Sequence, residues 1–363
     1  MCDLCGKVAE KGDHKMTIHG GDIYRNRVKY DFSINVNPLG VPDSVKDALY
    51  RAVERCDVYP DGEAEKLKNA VSGFLAVSKE YLLFGNGASE LFMAAVHGIK
   101  PKKIVIPVPS FYGYEYAAKA VESKIIFYEM KEQNDFCVTE EITSVLTEDV
   151  ELLFLANPNN PNGGLMDKEL IKALLRHCRE KGIYMVLDES FIAFSGNGFS
   201  MLSEIEEFDN LLLVGSFTKI FSIPGVRLGY LVCKNHRLLA GIAGQLPEWN
   251  LSCFAQEAGC ICAEQTEYIR QTEQYIAKER QFLEKSLREK GFVIFPSKAN
   301  FIMLYSQEPL YERLLGKGIL IRDCSNFRGL RQGFYRIAVR SREENEILLS
   351  AMGLDKPNQG GFK

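Results

Sequence analysis

Apolar residues recur at three- and four-residue spacing in SVKDALYRAVERC (44–56), EAEKLKNAVSGFLAV (63–77) and SELFMAAVHGI (89–99). That spacing predicts amphipathic helices, because it lines one face of a 3.6-residue repeat. Between later helical segments lie short, continuously apolar runs: KIVIPVP (103–109), KIIFYEM (124–130), ELLFLANP (151–158), MVLDES (185–190), LLLVGS (211–216) and RLGYLVC (227–233). Runs of this length and composition suit strands covered on both faces, hence a mostly parallel sheet between helices. The predicted fold class is α/β. After Pro247 the character changes to a charged helical stretch over about 254–290, then three strand candidates, FVIFP, NFIMLYS and FYRIAVR. This predicts a smaller α+β domain (251–363), joined by part of an N-terminal arm (1–43), beside a large domain (44–250).

Several strand ends carry chemistry. In GSFTKIFSIPGVRLGY (215–230) a lysine follows an apolar strand and hydroxylated residues, with an arginine eight positions on. Lys219 can form an imine with an aldehyde, while Ser216, Thr218 and Arg227 can hold a phosphate. GNGASE (85–90) follows YLLF and opens a helical run, so the N–H groups of Ala88 and Ser89 suit an anion. Asp188 ends a buried run, where open α/β sheets place ligands, and a carboxylate there can pair with a protonated pyridine nitrogen. NPNNPNG (157–163) reads as a strand-end turn from which Asn160 can donate to a phenolic oxygen; Phe111, in VPSFYGY, can stack on a ring. Each has an ordinary reading too: surface lysine, plain glycine turn, helix-capping aspartate, core phenylalanine.

Composition narrows the classes. Hydrophobic residues make up 46% and charged residues 25% of 363, with a formal net charge of −4. Such a balance fits a soluble globular protein without general attraction to nucleic acid or anionic membrane. No run of 18 apolar residues predicts a membrane span, and the polar start lacks a secretory pattern. Ten scattered cysteines, several in apolar segments, point to reduced thiols and a cytoplasmic setting. Cys2 and Cys5, with His14 nearby, make at most half of a metal site, and no metal is expected.

The order of these elements resembles the fold-type I pyridoxal-phosphate (PLP) superfamily, the class I/II aminotransferases. Within it, HGGDIYR (19–25), DFSINVNPLG (31–40), YPDG (59–62), LDESF (187–191), LIRDCSNFRGL (320–330) and YRIAVRS (335–341) look most like the threonine-phosphate decarboxylases of cobalamin biosynthesis. The histidinol-phosphate aminotransferases are similar. The resemblance spans His19 to about Gly353. It implies pyridoxal 5′-phosphate bound on Lys219, its phosphate held by Ala88, Ser89, Ser216 and Arg227, and by Tyr59 from the partner of a homodimer. It further implies Phe111 over the ring, Asn160 at its O3′ and Asp188 at its nitrogen. His19, Asn35, Arg322 and Arg336 are implied to bind a small phosphorylated amino acid. The implied reaction is decarboxylation of O-phospho-L-threonine, or of a relative such as phosphoserine; the alternative is histidinol-phosphate-type transamination. A non-enzymatic PLP-sensing regulator would need a DNA-binding module ahead of the first such string. Three departures stand out. Asp22 occupies an expected asparagine position, and Phe191 replaces a tyrosine common in aminotransferases, which suits the decarboxylases better. Asn162 replaces the usual threonine, a backbone-shaping position where little effect is expected.

Overall fold

The six apolar runs and the YLLF segment pair side by side into one sheet. In the computed structural model, which describes residues 20–196 and 198–353, these are β1 (Leu82–Gly85), β2 (Lys103–Val108), β3 (Lys124–Glu129), β4 (Leu152–Ala156), β5 (Tyr184–Asp188), β6 (Leu211–Ser216) and β7 (Gly229–Val232). Their order is β1-β7-β6-β5-β4-β2-β3. Only β7 is reversed, pairing antiparallel with β1 and β6. Alternate residues divide between two buried layers: Leu153, Leu155, Met185, Leu187, Leu211 and Leu213 face one, and Leu152, Phe154, Val186, Leu212 and Val214 the other. Burial on both faces is why these strands read as unbroken apolar runs.

Helices α1 (Asp43–Ala52), α2 (Glu65–Leu75), α3 (Ala88–Ile99) and α4 (Tyr112–Ala120) follow the predicted amphipathic segments or the turns between strands. Beyond β7 the helical stretch is not continuous. It divides into α5 (Cys253–Cys262) and α6 (Thr266–Glu289). No glycine or proline marks the break. Helix α5 packs on α1 and α2, whereas α6 packs on the second sheet, so the chain must turn between two surfaces. That sheet holds β8 (Val293–Ile294), β9 (Phe301–Tyr305), β10 (Arg322–Asp323) and β11 (Phe334–Ala338), all antiparallel, in the order β10-β11-β9-β8. The pair Tyr30–Asp31 with Ile319–Leu320 brings the N-terminal segment alongside. Among the described residues no helix is long and apolar enough to cross a membrane.

That segment also braces the turn carrying Lys219. Asn37 N–H donates to the Lys219 carbonyl (3.0 Å). Its Nδ2 donates to the Ile220 carbonyl (2.8 Å) and lies within hydrogen-bonding distance of Thr272 Oγ1 (2.7 Å) and Tyr268 Oη (2.9 Å) on α6. The turn Phe217–Ile220 is a single helical turn; Ser222 N–H reaches the Lys219 carbonyl from just beyond it (3.3 Å), whereas the Ile220 carbonyl takes its hydrogen bond from the Asn37 side chain. Replacing Asn37 with alanine keeps the N–H to Lys219 but leaves the buried Ile220 carbonyl unpaired, and should cost about 1–3 kcal/mol. A denaturation midpoint shifted down by that amount is expected; an unshifted midpoint would remove Asn37 from this role.

Candidate active site

Because β7 alone runs backwards, its first residue lies at the same edge as the last residues of the other strands. Gly229 pairs with both Gly85 and Ser216, and Asp188 pairs with Ala156 and Val214. That edge opens into a cavity of about 630 Å³. Ala88, Ser89, Phe111, Asn160, Asp188, Ser216, Lys219, Arg227, Asn35, Arg322 and Arg336 all line it.

One end is a cup for an anion. Gly87 caps α3 at φ +81° and offers no side chain to its first-turn N–H groups. A Cβ on Gly87 would come within 2.3 Å of the Arg227 guanidinium, and one on Gly229 within 2.6 Å of the Ala88 nitrogen. Glycine at both positions lets helix start and guanidinium close together. The hydroxyls of Ser216 and Thr218 are hydrogen-bonded to one another (2.7 Å). Arg227 donates to the Pro224 carbonyl (3.2 Å) and more loosely to that of Asn86 (3.4 Å), and has no carboxylate partner among the described residues. The charge of Arg227 therefore remains available.

Next to the cup stand Lys219 and Asp188. Lys219 Nζ makes no hydrogen bond or ion pair among the described residues; burial, then the charges of Arg336 and Arg227, lower its pKa to about 8. Asp188 is buried at 8% exposure and has no ion pair among the described residues. Burial raises its carboxyl against the pull of Ser190 N–H (2.9 Å), the Tyr114 hydroxyl (2.6 Å) and the Lys219 charge. A buried carboxylate without a paired cation calls for one, and a protonated ring nitrogen supplies it. Tyr114 was missed from the sequence: it sits among Tyr112 and Tyr116, and only the fold distinguishes the tyrosine that reaches Asp188. The Phe111 ring packs over Gly113, where a Cβ would lie 2.3 Å away.

At the far end are two arginines. Arg336 donates to Asn160 Oδ1 and to the Ser33 carbonyl (2.8 Å); with the Asn35 amide oxygen turned toward it, Asn35 accepts from Nε (3.3 Å). The Asn160 amide nitrogen makes no hydrogen bond among the described residues and stays available to a ligand. Arg322 donates to the Asp323 carbonyl and to Asn326 Oδ1 (2.7 Å). Both arginines are buried, and neither is ion-paired to a carboxylate among the described residues. Burial lowers Arg336 to about 10, so it stays charged at neutral pH.

Phe191 presses edge-on against Phe301 (5.0 Å between centroids), so this wall of the cavity carries no phenol. Asn162 departs from expectation. The unusual backbone falls on Gly163 (φ +75°), while the Asn162 side chain donates to the carbonyls of Asp135 (2.9 Å) and Phe136 (3.0 Å) and accepts from Asn159 (2.8 Å). It anchors a loop. Tyr59 does not line the cavity; it is 78% exposed and lies against Trp249, with ring centroids 4.6 Å apart. His19, Cys2, Cys5 and His14 lie outside the described residues.

Strand order, anion cup and lysine–aspartate pair together define a class, and the chain belongs to the family described as aminotransferase class I and II, which matches residues 27–352. It is 32% identical over 326 residues to the threonine-phosphate decarboxylase of Salmonella typhimurium, covering 89% of this chain and 90% of that one. It superposes on histidinol-phosphate aminotransferase from Clostridium acetobutylicum with TM-score 0.84 and 34% identity, covering 89% and 97%. It also superposes on L-threonine-O-3-phosphate decarboxylase from Porphyromonas gingivalis with TM-score 0.78 and 26% identity, covering 89% and 98%. The family's cofactor is pyridoxal 5′-phosphate, and the residues present fit it: a cup for the phosphate, an unpartnered amine and a buried carboxylate.

An amine attacks an aldehyde only when neutral. With its pKa lowered from 10.5 to about 8, Lys219 gains neutral fraction as pH rises through that value. Uptake of pyridoxal 5′-phosphate by cofactor-free protein, followed by absorbance, should accelerate with pH through about 8 and level off above it. A midpoint near 10.5 would mean that the amine is not desolvated.

Proposed function

We propose that the protein decarboxylates O-phospho-L-threonine, or a close phosphorylated amino acid such as phosphoserine, to the amino-alcohol phosphate and CO2. The observation that carries this reading is the pair Arg322 and Arg336, both buried in the cavity that also holds Lys219 and neither ion-paired to a carboxylate among the described residues. Once the cup has taken the cofactor's phosphate, two cations remain for the substrate. A phosphorylated amino acid has two anionic groups to match them. Likeness to the Salmonella decarboxylase supports the same choice.

Pyridoxal 5′-phosphate, once bound through Lys219, supplies an electron-withdrawing ring that takes up the electron pair left at Cα. Asp188 holds the proton on the ring nitrogen, and Tyr114 holds Asp188. Arg336, fixed by Asn35, Asn160 and Ser33, would receive the carboxylate and so orient the bonds at Cα. With the carboxylate bond selected, CO2 leaves, and Lys219 in its ammonium form would deliver a proton to Cα. Arg322 receives the phosphate.

Transamination of histidinol phosphate ranks second. That amine has one anionic group, although the arginine pair also suits a dicarboxylate acceptor, and the Clostridium aminotransferase is a similar structure. We further propose a homodimer in which Tyr59 reaches the partner's cofactor; Trp249 lies against it, and Tyr50 (74% exposed), Val53 and Val58, close by in the chain, are exposed as well. The division into a large domain (44–250) and a small one (251–363 with the arm 1–43) belongs to this reading. So does a cytoplasmic setting, in keeping with the described cysteines, all of them free.

Purified protein incubated with O-phospho-L-threonine should release CO2 and the phosphorylated amine, while histidinol phosphate with 2-oxoglutarate turns over poorly. The reverse outcome selects transamination. Lys219→Ala should stay folded by circular dichroism while losing the cofactor's visible absorbance and all turnover; wild-type turnover would rule out the assigned role. Sedimentation should give a dimer, and a fully active monomer contradicts the place given to Tyr59.

A further inference from the structure

The loop between β10 and β11 forms one wall of the cavity, with Ser325, Asn326, Phe327, Arg328, Gly329 and Leu330 all facing it. This loop aims Arg322. Asn326 Oδ1 accepts from its Nη2 (2.7 Å), and the Phe327 ring centroid lies 5.0 Å from its guanidinium carbon. Two ion pairs tie the loop to the large sheet and its helices. Arg331 meets Glu132 with both side chains well exposed, at 58% and 41%, so solvent screens that pair. Arg328 is different. Its Nε and Nη2 donate to the two oxygens of Glu115 on α4 (3.3 and 3.0 Å), and its guanidinium carbon lies 4.0 Å from the Phe127 centroid on β3. The Glu115 side chain is only 11% exposed, and the Arg328 side chain, at 50%, keeps solvent on its outer side only. Burial raises its carboxyl, but hydrogen bonds from Arg328 and Lys119 outweigh that and leave it below its usual value, charged at neutral pH.

Arg328 thus has its charge matched already, unlike Arg322 and Arg336. We infer that Arg328 and Glu115 are positioning residues for the phosphorylated substrate: their ion pair holds the loop at the height from which Arg322 meets the phosphate. The inference rests on the proposed function only in taking the substrate to be a phosphorylated amine. Removing Arg328 does not leave Glu115 as an orphan buried charge, because Lys119 stays 2.6 Å from it. The variant should fold.

The test compares Arg328→Met and Arg328→Lys with wild type, using O-phospho-L-threonine, or histidinol phosphate with 2-oxoglutarate if that is the pair turned over. Arg328→Met should raise KM about tenfold, the scale of one misplaced charge-assisted contact, with kcat within about twofold and the cofactor's absorbance unchanged. Arg328→Lys, which keeps the charge, should recover most of the loss. Binding of L-threonine, read from the cofactor's absorbance, should be the same in all three proteins. An unchanged KM in Arg328→Met overturns the inference alone. So does an equal loss for L-threonine, or a joint change in kcat and cofactor absorbance. Wild-type protein that turns over neither phosphorylated amine overturns the functional reading and this inference with it.

Discussion

The reversal of one strand determines where the chemistry sits. Were β7 parallel to its neighbours, Arg227, just before its start, would lie at the opposite edge from Ser216 and Gly85. Antiparallel pairing brings Gly229 level with both. The missing side chain at Gly229 then lets the start of α3 approach closely. Direction of the strand and absence of a side chain act together: the first selects the edge, the second sets the spacing. Open α/β sheets gather ligands where strands end, and here the reversed strand adds a cation to that edge.

Charge follows from this geometry. Arg227, Arg322, Arg336 and Lys219 face one cavity, with Asp188 the buried carboxylate nearest the lysine and Glu115 already engaged by Arg328 and Lys119. The protein as a whole carries −4, so this concentration of positive charge is local. It acts inward as well as outward. The charges of Arg336 and Arg227, after burial itself, hold Lys219 below its ordinary value. The same arginines therefore help keep the lysine nucleophilic, and any anion bound to them should relax that pressure.

Much of this was legible in the chain because strands buried on both faces leave apolar runs that end at functional residues. Lys219, Asp188 and Arg227 could be placed by counting from such runs. Contacts between distant segments left no comparable trace. Nothing in SFYGYEY distinguishes Tyr114 from Tyr112, because the choice depends on which tyrosine points toward β5. Asn162 looked like a turn residue, yet its side chain ties down residues 135–137, a relation that spacing does not encode. The break between α5 and α6 carries no glycine or proline, since it arises from packing on two surfaces. Arg328 lies within LIRDCSNFRGL (320–330), but its partner is 213 residues away.

Helix α4 connects the two ends of the site through consecutive residues. Tyr114 points inward to Asp188 and so bears on the ring nitrogen, while Glu115 holds the loop that aims Arg322. A helix carrying both contacts couples the surroundings of Asp188 to those of Arg322 before any substrate enters. Arg336 is fixed similarly, because Asn160, Ser33 and Asn35 occupy its donors from three directions. Which bond at Cα breaks would depend on the angle between these anchors. An enzyme that selects one bond among several must set that angle in advance, since an arginine free to swing would accept the carboxylate in either orientation. The hydrogen bonds spent on the arginine itself are thus part of the selection, although none of them touches the bond that breaks.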